Sequence, residues 1–128
     1  MPAINRSVAL ITPVNSGVAG GAKTSTVTGA AIDTDGINGG FVFIQQVDTV
    51  SGTTPTLDGK IQESDASGGT YTDVSGATFT QVTASTNIQT VVVDRNATKR
   101  FLKYIGTIAG TSPSFALTLA CGGVKQYR

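Results

Sequence analysis

The amino-acid sequence predicts an all-β fold, a jelly-roll-like antiparallel β-sandwich of about eight strands. The composition favours strands and tight turns over helices, because 20 Thr, 13 Val and 16 Gly occur beside only 5 Leu. The pattern favours them as well, because β-compatible runs alternate with turn signals roughly every ten residues. A chain of 128 residues is expected to form one domain, which contacts with partner molecules would help to stabilise.

The first third of the chain predicts strands over residues 6–12 and 24–32. Pro13 and a glycine-rich loop over residues 14–22 end the first run, because proline lacks a backbone donor and glycine suits turns. The second run alternates threonine with other residues and ends at Asp33-Thr34-Asp35-Gly36, a strong turn sequence.

The middle third predicts two further strands and an interrupted one. Residues 41–50 and 56–64 are expected to pair as a hairpin across a turn at residues 51–55. Two shorter β-compatible pieces follow at residues 71–74 and 77–82, and Ser75-Gly76 between them favours a bulge or a corner where the strand changes sheets.

The last third predicts strands over residues 87–94, 100–109 and 114–121. The first of these contains Val91-Val92-Val93, a continuous apolar run that indicates burial on both faces. The other two are separated by the turn sequence Gly110-Thr111-Ser112-Pro113.

An internal repeat relates the two proline-containing turns, because Pro113 follows Pro55 by 58 residues and nine positions agree in kind at this offset. The positions that match are Phe43, Ile44, Val47, Thr49, Val50, Gly52, Thr53, Pro55 and Leu57 with Phe101, Leu102, Ile105, Thr107, Ile108, Gly110, Thr111, Pro113 and Phe115. Each half offers a strand, a Gly-Thr-x-Pro turn and a second strand. The two hairpins are therefore expected to superpose and to lie at the same end of the sandwich.

The chain is expected to be a single β-sandwich domain over residues 1–128, with short arms at residues 1–5 and 122–128 that order on assembly. No signal peptide and no apolar run of about 20 residues is present, so a soluble, unprocessed protein is expected. The single Cys121 cannot form an internal disulfide and is expected to be a small buried hydrophobic residue.

Charge and residue usage argue against several classes of function. The net charge is +1 and charged residues make up 13% of the chain, which provides no general attraction for nucleic acid or membranes and suits a surface covered by neighbours. Histidine and tryptophan are absent, so no enzyme activity, metal or cofactor is expected. Asp33-Thr34-Asp35-Gly36 resembles part of a calcium loop, but it lacks the closing Glu and is interpreted as a turn.

One basic cluster stands out, formed by Arg95, Lys99, Arg100 and Lys103. It follows one predicted strand and enters the next. These four residues are candidate contacts with an acidic partner surface, because charge complementarity fixes the register of docking. A solvated turn is the alternative interpretation. The cluster is not accompanied by an RNA-binding aromatic pattern, a zinc site or a DNA-recognition helix, so nucleic-acid contact is not expected.

The stretch SGTTPTLDGKIQESD at residues 51–65, continued by YTDVSGATF at residues 71–79, resembles a sequence in small head-associated proteins of tailed bacteriophages. The turn from Gly110 to Phe115 is similar to the closing hairpin of those proteins. With the order of strands, the resemblance covers roughly residues 40–120. It identifies the family of capsid decoration or cement proteins, which are typically β-sandwiches or jelly rolls that form dimers or trimers.

The resemblance implies a structural virion protein, made in the host cytoplasm, that binds the outer surface of a phage head. Its expected partners are the major capsid protein and copies of itself, and it implies no catalytic residues and no cofactor. A second hypothesis is a carbohydrate- or receptor-binding β-sandwich module of a phage tail fibre or baseplate. Such a module needs exposed aromatic side chains, for which Tyr71, Tyr104 and Tyr127 are the candidates. A weak hydrolase is a third hypothesis, disfavoured by the missing His and Trp.

Overall fold

A computed structural model describes residues 11–125, which form an antiparallel all-β structure. The strands are β1 (Ile11–Val14), β2 (Gly21–Lys23), β3 (Val27–Thr28), β4 (Ile32–Asp33), β5 (Ile37–Ser64), β6 (Thr72–Thr78), β7 (Asn87–Asp94) and β8 (Phe101–Lys125), with a short 3-10 helix at Arg95–Ala97. The described residues include no α-helix, and they contain no helix long and apolar enough to cross a membrane. The predicted antiparallel all-β sandwich of about eight strands is confirmed, although several of the strands have other bounds than predicted.

Two unusually long strands organise the fold. β5 and β8 pair antiparallel over most of their lengths, from Phe41 opposite Gly123 to Ser64 opposite Phe101. Both bend in the middle, so that this two-stranded ribbon folds onto itself and its halves lie face to face. A hydrogen bond between the buried side chains of Tyr104 and Gln45 crosses from one half to the other.

The eight strands form one continuous, strongly curled sheet, and the two halves of the ribbon are the centres of its two stacked layers, which we call sheet 1 and sheet 2. Sheet 1 contains residues 37–50 of β5 and 114–125 of β8, flanked by β7 on one side and by β1 and β2 on the other. Sheet 2 contains residues 56–64 of β5 and 101–109 of β8, flanked by β6 on one side and by β3 and β4 on the other.

The core fills the space between the sheets, and the strand period of two residues explains which side chains reach it. Phe41, Phe43, Gln45 and Val47 of β5 point inward and are at most 1% exposed. The rings of Phe41 and Phe43 pack with centroids 5.2 Å apart. Burying each of these apolar side chains contributes about 1.5–3 kcal/mol. The other fully or nearly fully buried hydrophobic residues include Ile32, Leu57, Ile61, Val82, Leu102, Tyr104, Phe115 and Leu117.

The predicted hairpin between residues 41–50 and 56–64 is wrong, because both runs belong to the continuous strand β5 and pair with β8. The Gly-Thr-x-Pro sequences bend the strands and do not reverse them. Thr53 lies opposite Thr111, and the register shifts on both sides of this pair. Bulges of this kind bend a strand sharply while its ladder continues.

The 58-residue repeat is present in the backbone of the bend. Gly52 and Gly110 have φ angles of 111° and 119°, and Thr54 and Ser112 have φ angles of 47° and 49°. The two sequences lie side by side at one end of the sandwich, as expected. Their backbone conformations are equivalent, although they do not form separate hairpins.

Other local predictions have mixed outcomes. β7 has the predicted bounds, and the predicted bulge at Ser75-Gly76 is confirmed, because the ladder steps from Lys60 opposite Thr78 to Gln62 opposite Asp73. Burial of Val91-Val92-Val93 on both faces is wrong, since Val92 is 62% exposed.

The ends of the chain also differ from the prediction. The C-terminal arm is wrong for residues 122–125, because Gly122 pairs with both Pro13 and Val42 inside sheet 1, and β8 runs on to Lys125. The predicted arm at residues 1–5 and the remaining residues 126–128 lie outside the described residues. The predicted strand over residues 24–32 is interrupted, and only β3 and the start of β4 form there.

Candidate interaction surfaces

The four basic residues singled out in the sequence meet at the end of the sandwich opposite the bend. Arg95 lies in the 3-10 helix, Lys99 and Arg100 precede β8, and Lys103 lies within it. The helix begins at Asp94, whose carboxylate accepts a hydrogen bond of 2.9 Å from the backbone N–H of Asn96 and caps it. The chain therefore turns sharply and brings the four side chains to one end.

Carboxylates from distant parts of the chain compensate these positive charges. The Arg100 guanidinium donates two hydrogen bonds of 2.8 Å to Asp33 and lies 3.9 Å from Asp35. Lys99 lies 3.9 Å from Asp65. The hydrogen bonds from Arg100 and from the backbone N–H of Asp35 lower the pKa of Asp33 to about 2. The end is therefore mixed in charge, and we call it the mixed-charge end.

The turn predicted at Asp33-Thr34-Asp35-Gly36 is confirmed. The Asp35 N–H donates a 2.9 Å hydrogen bond to the Asp33 carboxylate, and Gly36 adopts a φ of 85°. Within residues 11–125, no group of three potential metal-ligating side chains comes together. The acidic side chains of this turn pair with the Arg100 guanidinium.

The other two basic side chains are held by neutral groups. Arg95 Nε donates a 3.1 Å hydrogen bond to the Thr34 carbonyl. The Lys103 ammonium lies 4.1 Å from the centre of the Tyr71 ring, a cation–π contact. Among the described residues, Lys99 and Lys103 make one charged or aromatic contact each, so each ammonium group keeps further hydrogen-bond donors.

A second surface, which the sequence did not predict, is the outer face of sheet 1. Among the described residues, the large hydrophobic side chains that are exposed are Ile44 at 36%, Ile88 at 67% and Val92 at 62%, and all three lie on this face. In the part of the chain that the structure describes, the stretch of this face between Asp48 and Asp94 at its two ends carries no charge, and we call that stretch the neutral face. Its residues are Pro13, Val42, Ile44, Gln46, Ile88, Thr90, Val92, Thr118, Ala120 and Gly122.

The neutral face has an apolar depression beside its exposed side chains. The depression measures about 130 Å³ and is lined by Pro13, Val42, Ile44, Ala120, Cys121 and Gly122. This volume is comparable with the roughly 150 Å³ apolar cavity that holds one benzene ring. A single apolar side chain is therefore a suitable occupant.

The outer face of sheet 2 has the opposite character. Lys60 lies 3.1 Å from Asp73, and the Gln62 amide donates a 2.9 Å hydrogen bond to the same carboxylate. The Gln81 amide donates to both oxygens of Asp58 at 3.1 Å. One outer face of the sandwich is therefore polar and charged, whereas the other exposes apolar side chains.

Of the candidate stacking residues, the two that the structure describes, Tyr71 and Tyr104, do not form an aromatic groove. Tyr104 is buried in the core, and Tyr71 donates a 2.8 Å hydrogen bond to the Ser67 carbonyl while Lys103 covers one face of its ring. Tyr127 lies outside the described residues. Cys121 is buried as predicted, and burial raises the pKa of its thiol to about 11, which keeps it protonated at neutral pH.

Neither the known protein-family models nor the curated proteins contain a match to this chain. The geometry describes a β-sandwich with two surfaces of distinct chemistry, the neutral face and the mixed-charge end. The sequence cluster led to the second surface but not to its carboxylates, which are up to 67 residues away in the chain. The neutral face could have been found from Ile44, Ile88 and Val92 only if the strand register had been known.

Proposed function

We propose that this protein is a structural virion protein that binds the outer surface of a phage head and stabilises the lattice of the major capsid protein. The observation that carries the proposal is the neutral face, where Ile44, Ile88 and Val92 are exposed on an uncharged stretch between Asp48 and Asp94. Exposed apolar patches on otherwise polar domains mark surfaces that other proteins cover. The sequence resemblance of residues 40–120 to head decoration proteins supplies the partner.

The mixed-charge end is the surface proposed to contact the major capsid protein. It offers the ammonium groups of Lys99 and Lys103 together with the exposed carboxylates of Asp35 and Asp65, whose side chains are 72% and 84% exposed. A surface that carries both signs of charge sets the orientation of docking on a complementary lattice. Because a head presents many equivalent sites, modest contacts of this kind add up over a bound oligomer.

The protein is proposed to act as a symmetric homo-oligomer, and a dimer or a trimer would each serve this function. A small β-sandwich with an uncovered apolar face gains stability when that face is buried. No enzyme activity and no cofactor form part of the proposal. Its location is the exterior of the phage head after synthesis in the host cytoplasm.

Co-sedimentation with purified heads that lack the protein tests this function. We expect the wild-type protein to pellet with the heads in a saturable manner. Lys99→Glu and Lys103→Glu should each weaken pelleting, because they reverse a charge at the mixed-charge end while surface substitutions seldom destabilise a fold. Lys23→Glu is the matched control, since Lys23 lies opposite Phe115 near the bend, at the other end of the sandwich.

The same experiment separates the two functional hypotheses. Wild-type protein that stays in the supernatant and binds glycans would contradict the head-binding proposal and support the tail-fibre or baseplate module. Equal pelleting of the Lys99, Lys103 and Lys23 variants would contradict the mixed-charge end as the contact surface.

A further inference from the structure

We infer that the neutral face is the surface through which two copies of this chain form a face-to-face dimer. The inference rests on the homo-oligomer of the proposed function and names its interface. The inference also favours a dimer over a trimer, because a face that packs against the same face of a second copy across a two-fold axis forms a closed dimer.

The neutral face carries both a protrusion and a depression that fit each other. The ladder places Val92 of β7 opposite Val42 of β5, and Val42 opposite Gly122 of β8. Val92 is therefore level with the depression that Val42 and Gly122 line with Pro13. β7 and β8 lie on opposite sides of β5, each about 4.8 Å away.

A two-fold axis parallel to β5 then brings the protrusion over the depression. Rotation about this axis places β7 of one copy above β8 of the other and keeps every residue at its level along the strands. Val92 of each copy thereby lies over the depression of the other, and Ile88 lies over Thr118. Two sheets packed in this way have nearly aligned strands, which is the common arrangement for sheet-on-sheet packing.

The charge distribution also favours a second copy as the occupant. Because the neutral face has no charged residue, two copies meet without burying an unpaired charge. The carboxylates nearest to it lie at the two ends of the β5–β7 ladder, where they stay at the rim: Asp94 forms the terminal pair with Gly40, and Asp48 follows the other terminal pair, Val47 with Asn87. A charged lattice would find its complementary groups on the mixed-charge end instead.

The size of the face is near the minimum for a specific dimer. Four adjacent strands about 4.8 Å apart and eight residues of about 3.3 Å each, the length of β7 with the rim residue Asp94 included, give a footprint of roughly 500 Å² per copy. Both copies together bury roughly 1,000 Å², which is about the lower bound of a specific interface. We therefore expect a dimer whose population depends on protein concentration.

Analytical ultracentrifugation over a concentration series, without heads, tests this inference. Thr90→Lys places a charge at the centre of the neutral face, where Thr90 lies opposite Ile44. Thr107→Lys is the matched control, because Thr107 is an exposed strand residue opposite Asp58 on the outer face of sheet 2. We expect a dimer for the wild type, a dissociation constant raised at least about tenfold by Thr90→Lys, and little change for Thr107→Lys.

A wild type that stays monomeric up to about 1 mM, the affinity of a very weak complex, would overturn the inference. A trimeric mass, or equal effects of the two lysine variants, would overturn it too. If Thr90→Lys fails to fold by circular dichroism, methyl NMR of the wild type decides. The signals of Ile44, Ile88 and Val92 should shift with concentration while that of Ile105 does not, and the absence of such shifts contradicts the dimer.

The two proposals fail separately. A wild-type dimer that does not pellet with heads would overturn the proposed function and support the dimer. A wild-type monomer that does pellet with heads would support the function and overturn the dimer.

Discussion

Removing the hydroxyl group of Tyr104 should destabilise the core more than a typical Tyr-to-Phe change. This hydroxyl donates a 2.6 Å hydrogen bond to Gln45 Oε1, and both side chains are 0% exposed. Gly59 and Gly106 make room for the pair, because a Cβ atom at either position would lie within 2.9 Å of the hydroxyl oxygen. Among the described residues, Gln45 Nε2 has no hydrogen-bond partner.

The magnitude follows from this arrangement. Tyr104→Phe removes the hydrogen bond and leaves the whole Gln45 amide buried without a partner, which costs about 1–3 kcal/mol. For a domain of this size the melting temperature should fall by several degrees. Gln45→Met should cost less, because it also removes the unpaired Nε2. The double variant should be more stable than Tyr104→Phe alone, since replacing both partners with apolar groups is nearly neutral.

Urea unfolding of the four proteins, followed by far-UV circular dichroism, measures these differences. The pH dependence gives a second readout, because burial raises the pKa of Tyr104 above its usual range. The Tyr104 hydroxyl should ionise in the unfolded chain at its ordinary pKa of 10.0 but stay protonated in the folded protein. The stability of the fold should therefore be unaffected by this group below pH 10 and decrease as the pH rises above it. Tyr104→Phe should lack this alkaline loss. A Tyr104→Phe variant as stable as the wild type, or a double variant less stable than Tyr104→Phe, would refute the reasoning.

Two further predictions concern the turn at Asp33 and the bend. Because the folded-state pKa of Asp33 is about 2 against an ordinary 3.8, its pairing with Arg100 should stabilise the fold above about pH 4. That contribution should be lost as the pH falls toward 2. The stability of Asp33→Asn should therefore depend less on pH in acid than the stability of the wild type. Identical acid unfolding profiles of the two proteins would contradict the pairing. In urea unfolding, Gly52→Ala should destabilise the fold more than Gly76→Ala. Both glycines have a positive φ, which a side chain strains. Only at Gly52 would the new Cβ also lie 2.6 Å from a backbone oxygen, that of Ser112. Equal losses would show that the bend tolerates the side chain.

Local sequence patterns predicted the positions of strands better than their connections. The bounds of β7 and the bulge at Ser75-Gly76 follow from apolar runs and turn residues, which act over a few positions. The bend at Gly52 and Gly110 could not be predicted in this way. The same Gly-Thr-x-Pro sequence suits a hairpin turn and a bulged strand, and only the long-range pairing of β5 with β8 decides between them.

The two surfaces were also predicted only where the residues that form them are close in sequence. Arg95, Lys99, Arg100 and Lys103 are close in sequence, so their proximity was evident. The carboxylate of Asp33, which pairs with Arg100, is 67 residues away, and no local pattern connects the two. Val92 was assigned to the core because it lies in an apolar run, which does not reveal which of its residues face outward.

Electron cryomicroscopy of heads with and without bound protein tests the central claim most directly. We expect additional density on the outer surface of the decorated heads, repeated at equivalent lattice positions, into which the sandwich fits. The mixed-charge end, with Lys99 and Lys103, should point toward the major capsid protein. Decorated and undecorated heads with identical outer surfaces at saturating protein concentration would contradict the proposed function.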